Sequence, residues 1–244
     1  DLIGIINGVD TEAWNPQTDE FIAANYSLSD MKGKSACKKA LQKRLGLEVS
    51  AKKPVFGVVS RLYSQKGLDL LARIAGELVG HMDIQIAILG TGEHWLENAF
   101  SDLTAKFPGK ISAYIGFDNE LAHQIEAGSD FFIMPSRFEP CGLNQMYSMM
   151  YGTLPIVRST GGLEDSVDQY SEATGSGDGF KFSDATCEAL YNTIGWACST
   201  WYDRPADIQK LRRNGMSKDF SWNKSAEKYA LVYKWAVAAR SARF

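Results

Sequence analysis

Between residues 54 and 157 the chain repeats one pattern: a short apolar run, a polar turn, then a longer stretch with apolar residues at helical spacing. Pro54 to Ser60 reads as a buried strand, followed by a helix over Leu68–Val79. Ile84–Leu89, Ile111–Ile115, Phe131–Met134 and Leu154–Val157 are the next strands. Helices near Glu93–Phe107, Glu120–Ala127 and Gly142–Tyr151 separate them. Runs of this length with no polar alternation fit strands covered on both faces. Strands alternating with helices predict βαβ units with right-handed crossovers. The expected fold is therefore α/β: a Rossmann-like parallel sheet with helices on both faces.

The flanks differ from this core. Residues 1–50 contain the turn-like Asn7-Gly8-Val9-Asp10 and one basic helix over Lys34–Leu45. Beyond a Gly/Ser-rich loop at 171–179 comes a short strand, Phe180–Phe182, and then only helices. The last helix, Trp222–Ala239, carries Trp222, Ala226, Tyr229, Tyr233 and Val237 on one stripe, a face that calls for burial. The expected organisation is a flanking segment over 1–50, a Rossmann-like domain over 51–220 and a C-terminal helical extension over 221–244.

Composition removes several function classes. A net charge of -3 argues against a nucleic-acid-binding surface, and no apolar run reaches the roughly 18 residues that span a bilayer. Cys37, Cys141, Cys187 and Cys198 show neither CxxC spacing nor a partnering histidine cluster, which points to reduced thiols. His81, His94 and His123 stand among unlike neighbours, so no metal is expected and each histidine is read as a surface or helix-end residue. The opening lacks Met and the layout of a signal peptide, which leads to the expectation of a fragment.

In an open parallel sheet, ligands bind at the carboxyl ends of the strands, so the loops there carry the candidate chemistry. Arg61 and Lys66, with Gly67 at a helix start, suit a diphosphate leaving group. A solvated basic loop fits the spacing equally well. Glu139, fixed by Pro140 and followed by Gly142, can accept hydrogen bonds from sugar hydroxyls. On spacing alone a helix-capping acid is the slightly better reading. Phe117 follows a strand and precedes polar residues, a place for stacking on a base or for a lid over the core. Gly90–Gly92 and Gly161-Gly162 are weak signals, because glycines at strand ends often only make turns.

The segments VSRLYSQKGLDLL, ILGTGE, PSRFEPCGLNQMYSMMYGTLPIVRSTGGLEDSV and INGVDTEAWNP resemble the C-terminal domain of bacterial-type glycogen synthases. These belong with the starch synthases in glycosyltransferase family 5, and the similarity runs through FSWNKSAEKYALVY, nearly the whole chain. The resemblance implies the GT-B architecture and retaining transfer of glucose from ADP-glucose to an α-1,4-glucan. No metal or other cofactor is implied, and the setting is cytoplasmic, or the plastid stroma in a plant. It implies that Arg61 and Lys66 bind the distal phosphate and that Glu139 contacts the transferred glucose. Cys141, Gly142 and Leu143 would form the backbone around sugar and phosphate. Phe117 would lie against adenine, Asn7 would reach the glucose, and Gly161-Gly162 echo a second Gly-Gly loop. Asn144 stands where these proteins usually have Thr, and Tyr147 where many GT-B relatives have a second glutamate. The family's N-terminal domain is the implied partner, toward which the last helix would pack, and without it the chain is expected to be inactive. The alternatives are a transferase using UDP-glucose, one resembling sucrose synthase, or a non-catalytic nucleotide- or glucan-binding module.

Overall fold

A computed structural model describes residues 2–241. Six strands form one sheet: β1 (Val55–Val59), β2 (Gln85–Gly90), β3 (Ile111–Ile115), β4 (Phe131–Met134), β5 (Leu154–Arg158) and β6 (Phe180–Phe182). Their order is β3-β2-β1-β4-β5-β6, and every pairing is parallel. The chain thus builds outward from β1 in one direction, returns, and builds outward from β4 in the other. The crevice between β1 and β4 is the point where the winding reverses.

The helices are α1 (Lys32–Arg44), α2 (Leu68–His81), α3 (His94–Lys106), α4 (Asn119–Gly128), α5 (Asn144–Met150), α6 (Gly161–Ser166), α7 (Cys187–Asp203), α8 (Pro205–Met216) and α9 (Trp222–Ser241). Side-chain alternation divides the strands between two cores. Phe56, Val58, Ile86, Ile88 and Phe131 pack with α2, α3 and α7 on one face; Val55, Ala87, Leu89 and Phe132 pack with α1 and α4 on the other. Each such fully buried side chain contributes roughly 1.5–3 kcal/mol relative to exposure, so the sheet rests on both faces together. Asp118 accepts the Leu121 N–H to start α4, and Thr186 accepts the Ala189 N–H to start α7.

Three expectations are corrected here. Gly142 stands outside α5, which begins at Asn144: the positive φ of Gly142, 74°, is not helical. Gly161 and Gly162 do more than turn the chain, since they open α6. His123 is neither a surface nor a helix-end residue: it is 3% exposed within α4 and bonded at 2.8 Å to buried Asp19. The α9 stripe, expected to pack toward a domain outside this chain, is open here: Trp222, Tyr229 and Tyr233 are exposed and, among the described side chains of this helix, only Ser225 is buried. Residues 242–244 of the expected extension lie outside the described residues.

The segment before β1 is tied to the sheet domain by buried polar contacts. Asp19 receives His123 and, at 2.5 Å, the Tyr151 hydroxyl, while Trp14 stacks between His123 and Tyr147. Burial works to raise the Asp19 pKa, yet the His123 and Tyr151 bonds hold it below the usual carboxylate range. Lys34 of the basic helix α1 is buried too, donating to Ala127 O, Tyr151 O and Thr153 Oγ1. Burial, with Arg212 nearby, pushes its pKa down to about 7.

Candidate active site

Two adjoining cavities open at the carboxyl ends of the strands, the first between β1 and β4 and the second over β1, β2 and β3. The first, about 200 Å³, is lined by Arg61, Lys66, Ser136, Glu139, Gly142, Leu143 and Asn144. The second, about 270 Å³, is lined by Arg61, Thr91, Phe117, Asp118 and Asn144. Arg61 and Asn144 belong to both, so the two form one cleft with a charged end and a flatter, more apolar end.

The charged end is built on a pair. Lys66 Nζ donates to Glu139 Oε2 at 2.6 Å, and Ser136 Oγ donates to the same oxygen at 3.0 Å. Glu139 is only 6% exposed and caps no helix; α5 has Leu143 at that position, with no side-chain cap. Nor is Lys66 a solvated basic residue. Its ammonium still has two N–H groups beyond the one given to Glu139. Arg61 is exposed, and its guanidinium has no hydrogen-bond partner among the described residues; it lies 5.6 Å from the Tyr63 ring. A group with several anionic oxygens fits between these two cations.

Neighbouring backbone fixes the pair. Lys66 ends a 3-10 turn, Ser64–Lys66, and Gly67 follows with φ of 69°. A Cβ on Gly67 would collide with the Pro135 carbonyl, so only glycine lets β1's loop lie this close to β4's. On the other side, Gly161 and Gly162 press against the Glu139 and Cys141 carbonyls, where any Cβ would clash; Gly162 N–H donates to Glu139 O at 3.0 Å. These glycines shape the loop that carries Glu139 and do not line the cleft.

Three buttresses escaped the sequence reading. Arg137 forks onto Asp69 at 2.5 and 2.8 Å, donates to Ser64 O and, through its backbone, to Gln65 O. Burial alone would raise the Asp69 pKa, but the Arg137 fork holds it below the usual range. Arg158 donates to the carbonyls of Ser136 and Arg137, and Gln145 to those of Cys141 and Gly142. Arg137 and Arg158 reach across elements, so no local spacing announces them, whereas Gln145 bonds back to the loop just before α5.

The remaining candidates separate. Phe117 is 88% exposed at the rim of the second cavity, which removes the core-lid reading. Asn144 donates its amide to Val59 O at 2.7 Å while lining both cavities. Asn7 lines neither. Its backbone N–H meets Cys141 Sγ at 3.4 Å, so it approaches the Glu139 loop from the side of the N-terminal segment. Among the described residues no group of three or more His, Cys, Asp or Glu could hold a metal ion, and no helix is long and apolar enough to cross a membrane.

Residues 42–211 match the family model described as glycosyl transferases group 1. Glycogen synthase 1 of Geobacter sulfurreducens is 50% identical over 240 residues, covering 98% of this chain and 48% of that protein. Glycogen synthase of Treponema denticola is 47% identical over 245 residues, covering 99% of this chain and 50% of that protein. The chain spans about half the length of the curated relatives it matches. Among solved structures, the catalytic domain of starch synthase IV from Arabidopsis thaliana, bound to ADP and acarbose, superposes with a TM-score of 0.89 at 36% identity. That match covers 97% of this chain and 49% of the other.

Proposed function

The chain belongs to the group 1 glycosyl transferases, and on that premise we propose that it is the donor-binding half of a retaining glucosyltransferase. In this reading it moves glucose from ADP-glucose to the non-reducing end of an α-1,4-glucan. The observation that carries the proposal is the Lys66–Glu139 pair beside a free Arg61, at the winding reversal of the sheet. The names of the relatives and the ADP in the starch synthase IV structure support the choice of donor.

The chemistry follows from charge. The bond between glucose C1 and the diphosphate oxygen breaks, and a bond from C1 to an acceptor hydroxyl oxygen forms on the same face. The hydroxyl proton leaves with the ADP. As the C1–O bond lengthens, negative charge grows on the diphosphate, where Arg61 and the unspent N–H groups of Lys66 stabilise it. Glu139, held by Lys66 and Ser136, accepts from glucose hydroxyls, with the backbone of Cys141, Gly142 and Leu143 alongside. Phe117 stacks on adenine across the second cavity, and Asn7 approaches the glucose from the N-terminal segment. The acceptor glucan and a second domain complete the cleft, and α9 packs toward that domain. The proposed setting is the cytoplasm, where the four free thiols stay reduced.

The test has two arms. Calorimetric titration should give saturable ADP binding, tighter than UDP, and Phe117→Ala should erase that preference. Equal affinity for UDP would overturn the donor assignment. The second arm assays ADP-glucose and glycogen with this chain alone and then mixed with the N-terminal half of a relative. Elongation is expected only in the mixture, since positioning and water exclusion each lower a barrier by several kcal/mol. Robust elongation by the chain alone would overturn the half-site reading.

A further inference from the structure

A larger cavity lies at the opposite end of the strands. Of about 540 Å³, it sits beside the residues that lead into β1 and β4, Ala51 and Asp130, and it is walled by α1, α7 and α8. The strands separate it from the donor cleft by roughly 15 Å, at about 3.3 Å per residue. Nothing in the proposed transfer uses it.

Its charge is lopsided. Lys34, Lys38, Lys39 and Arg212 line it, against the single carboxylate of Asp130, in a chain whose net charge is -3. Asp130 is fully engaged: Oδ2 takes Lys38 at 2.7 Å and the Val55 N–H at 3.0 Å, and Oδ1 takes Arg212 at 2.8 Å. Lys34 spends its three N–H groups on protein oxygens and contributes only charge, which is partial at neutral pH because burial pushes its pKa down to about 7. Lys38 adds a bond to Ala51 O and lies 4.8 Å from the centre of the Trp201 ring.

Unspent donors remain. Arg212 is 8% exposed, and its Nε is buried without a hydrogen-bond partner. Nε has almost no accessible surface, so a ligand in the cavity meets the guanidinium through its Nη groups, of which Nη2 already donates to Asp130. Lys39 is exposed at the rim and has no ion-pair partner among the described residues. The aliphatic parts of Met31, Val49 and Trp201 supply apolar wall, and the volume suits a metabolite-sized ligand.

We propose that this cavity is a second ligand site, which binds the phosphate group of a small phosphate monoester through Arg212 and Lys39, in the positive field of Lys34 and Lys38. Phosphate is favoured over carboxylate because excess positive charge surrounds a guanidinium fork, and a dianion uses both.

Inorganic phosphate, a hexose monophosphate and the uncharged hexose are titrated into the full chain, by calorimetry and by following the indole N–H signals of ¹⁵N-labelled tryptophan. Trp201, whose indole donates to Lys52 O, is the reporter, assigned with Trp201→Phe. Phosphate and the hexose monophosphate are expected to shift the Trp201 signal saturably below ~10 mM, and the free hexose to leave it unmoved. Lys39→Glu should weaken binding about tenfold or more, and Arg212→Gln at least as much. Lys66→Ala, in the other cleft, should leave the Trp201 response intact. Lys39→Glu is a surface change that keeps the test open should Arg212→Gln fail to fold. An unshifted Trp201 signal, or phosphate affinity equal to wild type in Lys39→Glu, overturns the proposal, as does a hexose that binds without phosphate.

Discussion

Two clusters of polar and charged side chains stand apart in the fold, one between the N-terminal segment and α4, the other at the carboxyl ends of β1 and β4. In the first, Asp19 meets His123 and Tyr151 beneath Trp14; in the second, Lys66 meets Glu139 beside Arg61. The difference is what each leaves unspent. Asp19 receives the His123 ring, the Tyr151 hydroxyl and the Phe21 N–H, in a space closed by stacked aromatic rings. Arg61 keeps its whole guanidinium, and Lys66 two of its N–H groups, facing an open cavity. A saturated cluster can only hold the fold; an unsaturated one can hold something else.

The largest expected effect breaks the saturated cluster. Asp19→Ala leaves His123 and Tyr151 buried without their partner, and it should cost about 3–5 kcal/mol of stability in denaturant unfolding. The ADP affinity of the folded fraction should not move. A loss of affinity with unchanged stability would mean that the two clusters have been assigned the wrong way round.

Next come the cations of the cleft. Lys66→Ala and Arg61→Ala should each weaken ADP binding by about 1.5–3 kcal/mol, the range for hydrogen bonds to charged groups, and Arg61→Ala should barely change the unfolding midpoint. Lys66→Ala also strands Glu139, so its stability cost should exceed that of Arg61→Ala. Phe117→Ala should cost about 1–3 kcal/mol of ADP affinity by loss of stacking, and Phe117→Tyr should be tolerated.

The smallest effect concerns pH. Glu126 is buried, and desolvation raises its pKa to about 8 although Ser148 donates to it. Between its ordinary value near 4.5 and that raised value, the unfolded chain releases a proton that the folded chain keeps, so stability falls as pH rises through this window. Glu126→Gln has no proton to release. It should gain on the order of 1 kcal/mol relative to wild type between pH 5 and pH 6, read as the difference in unfolding free energy. A constant difference across that range would show that Glu126 ionises in the fold.

The same contrast explains what the sequence reveals. The bounds of β3, β4 and β6 can be read residue for residue, because short apolar runs bordered by Gly, Pro or Asp announce buried strands. Arg61, Lys66 and Glu139 are visible as charged residues in strand-end loops, where such types stand out. Their pairing is not, since Lys66 and Glu139 lie 73 positions apart. Asp19 and His123 are 104 apart, and a histidine on α4 carries no local sign that its ring will be buried. Gly142 misled the start of α5 because glycine is as much at home in the left-handed region as in a helix's first turn. The sequence displays the elements and the chemistry-bearing loops; the contacts that saturate one cluster and spare the other arise only when distant segments meet.

The strand order has a consequence for how the chain comes together. β1 sits at the centre, yet Phe56 pairs with Phe131, roughly 75 residues further along. At about 5–20 residues per second, a ribosome adds that stretch in on the order of 4–15 s. During that interval β1, β2 and β3 can condense into a half-sheet while one edge of β1 stays unpaired. The nascent half-domain is then most exposed to strand-edge aggregation, and a chaperone able to shield that edge would act before β4 emerges.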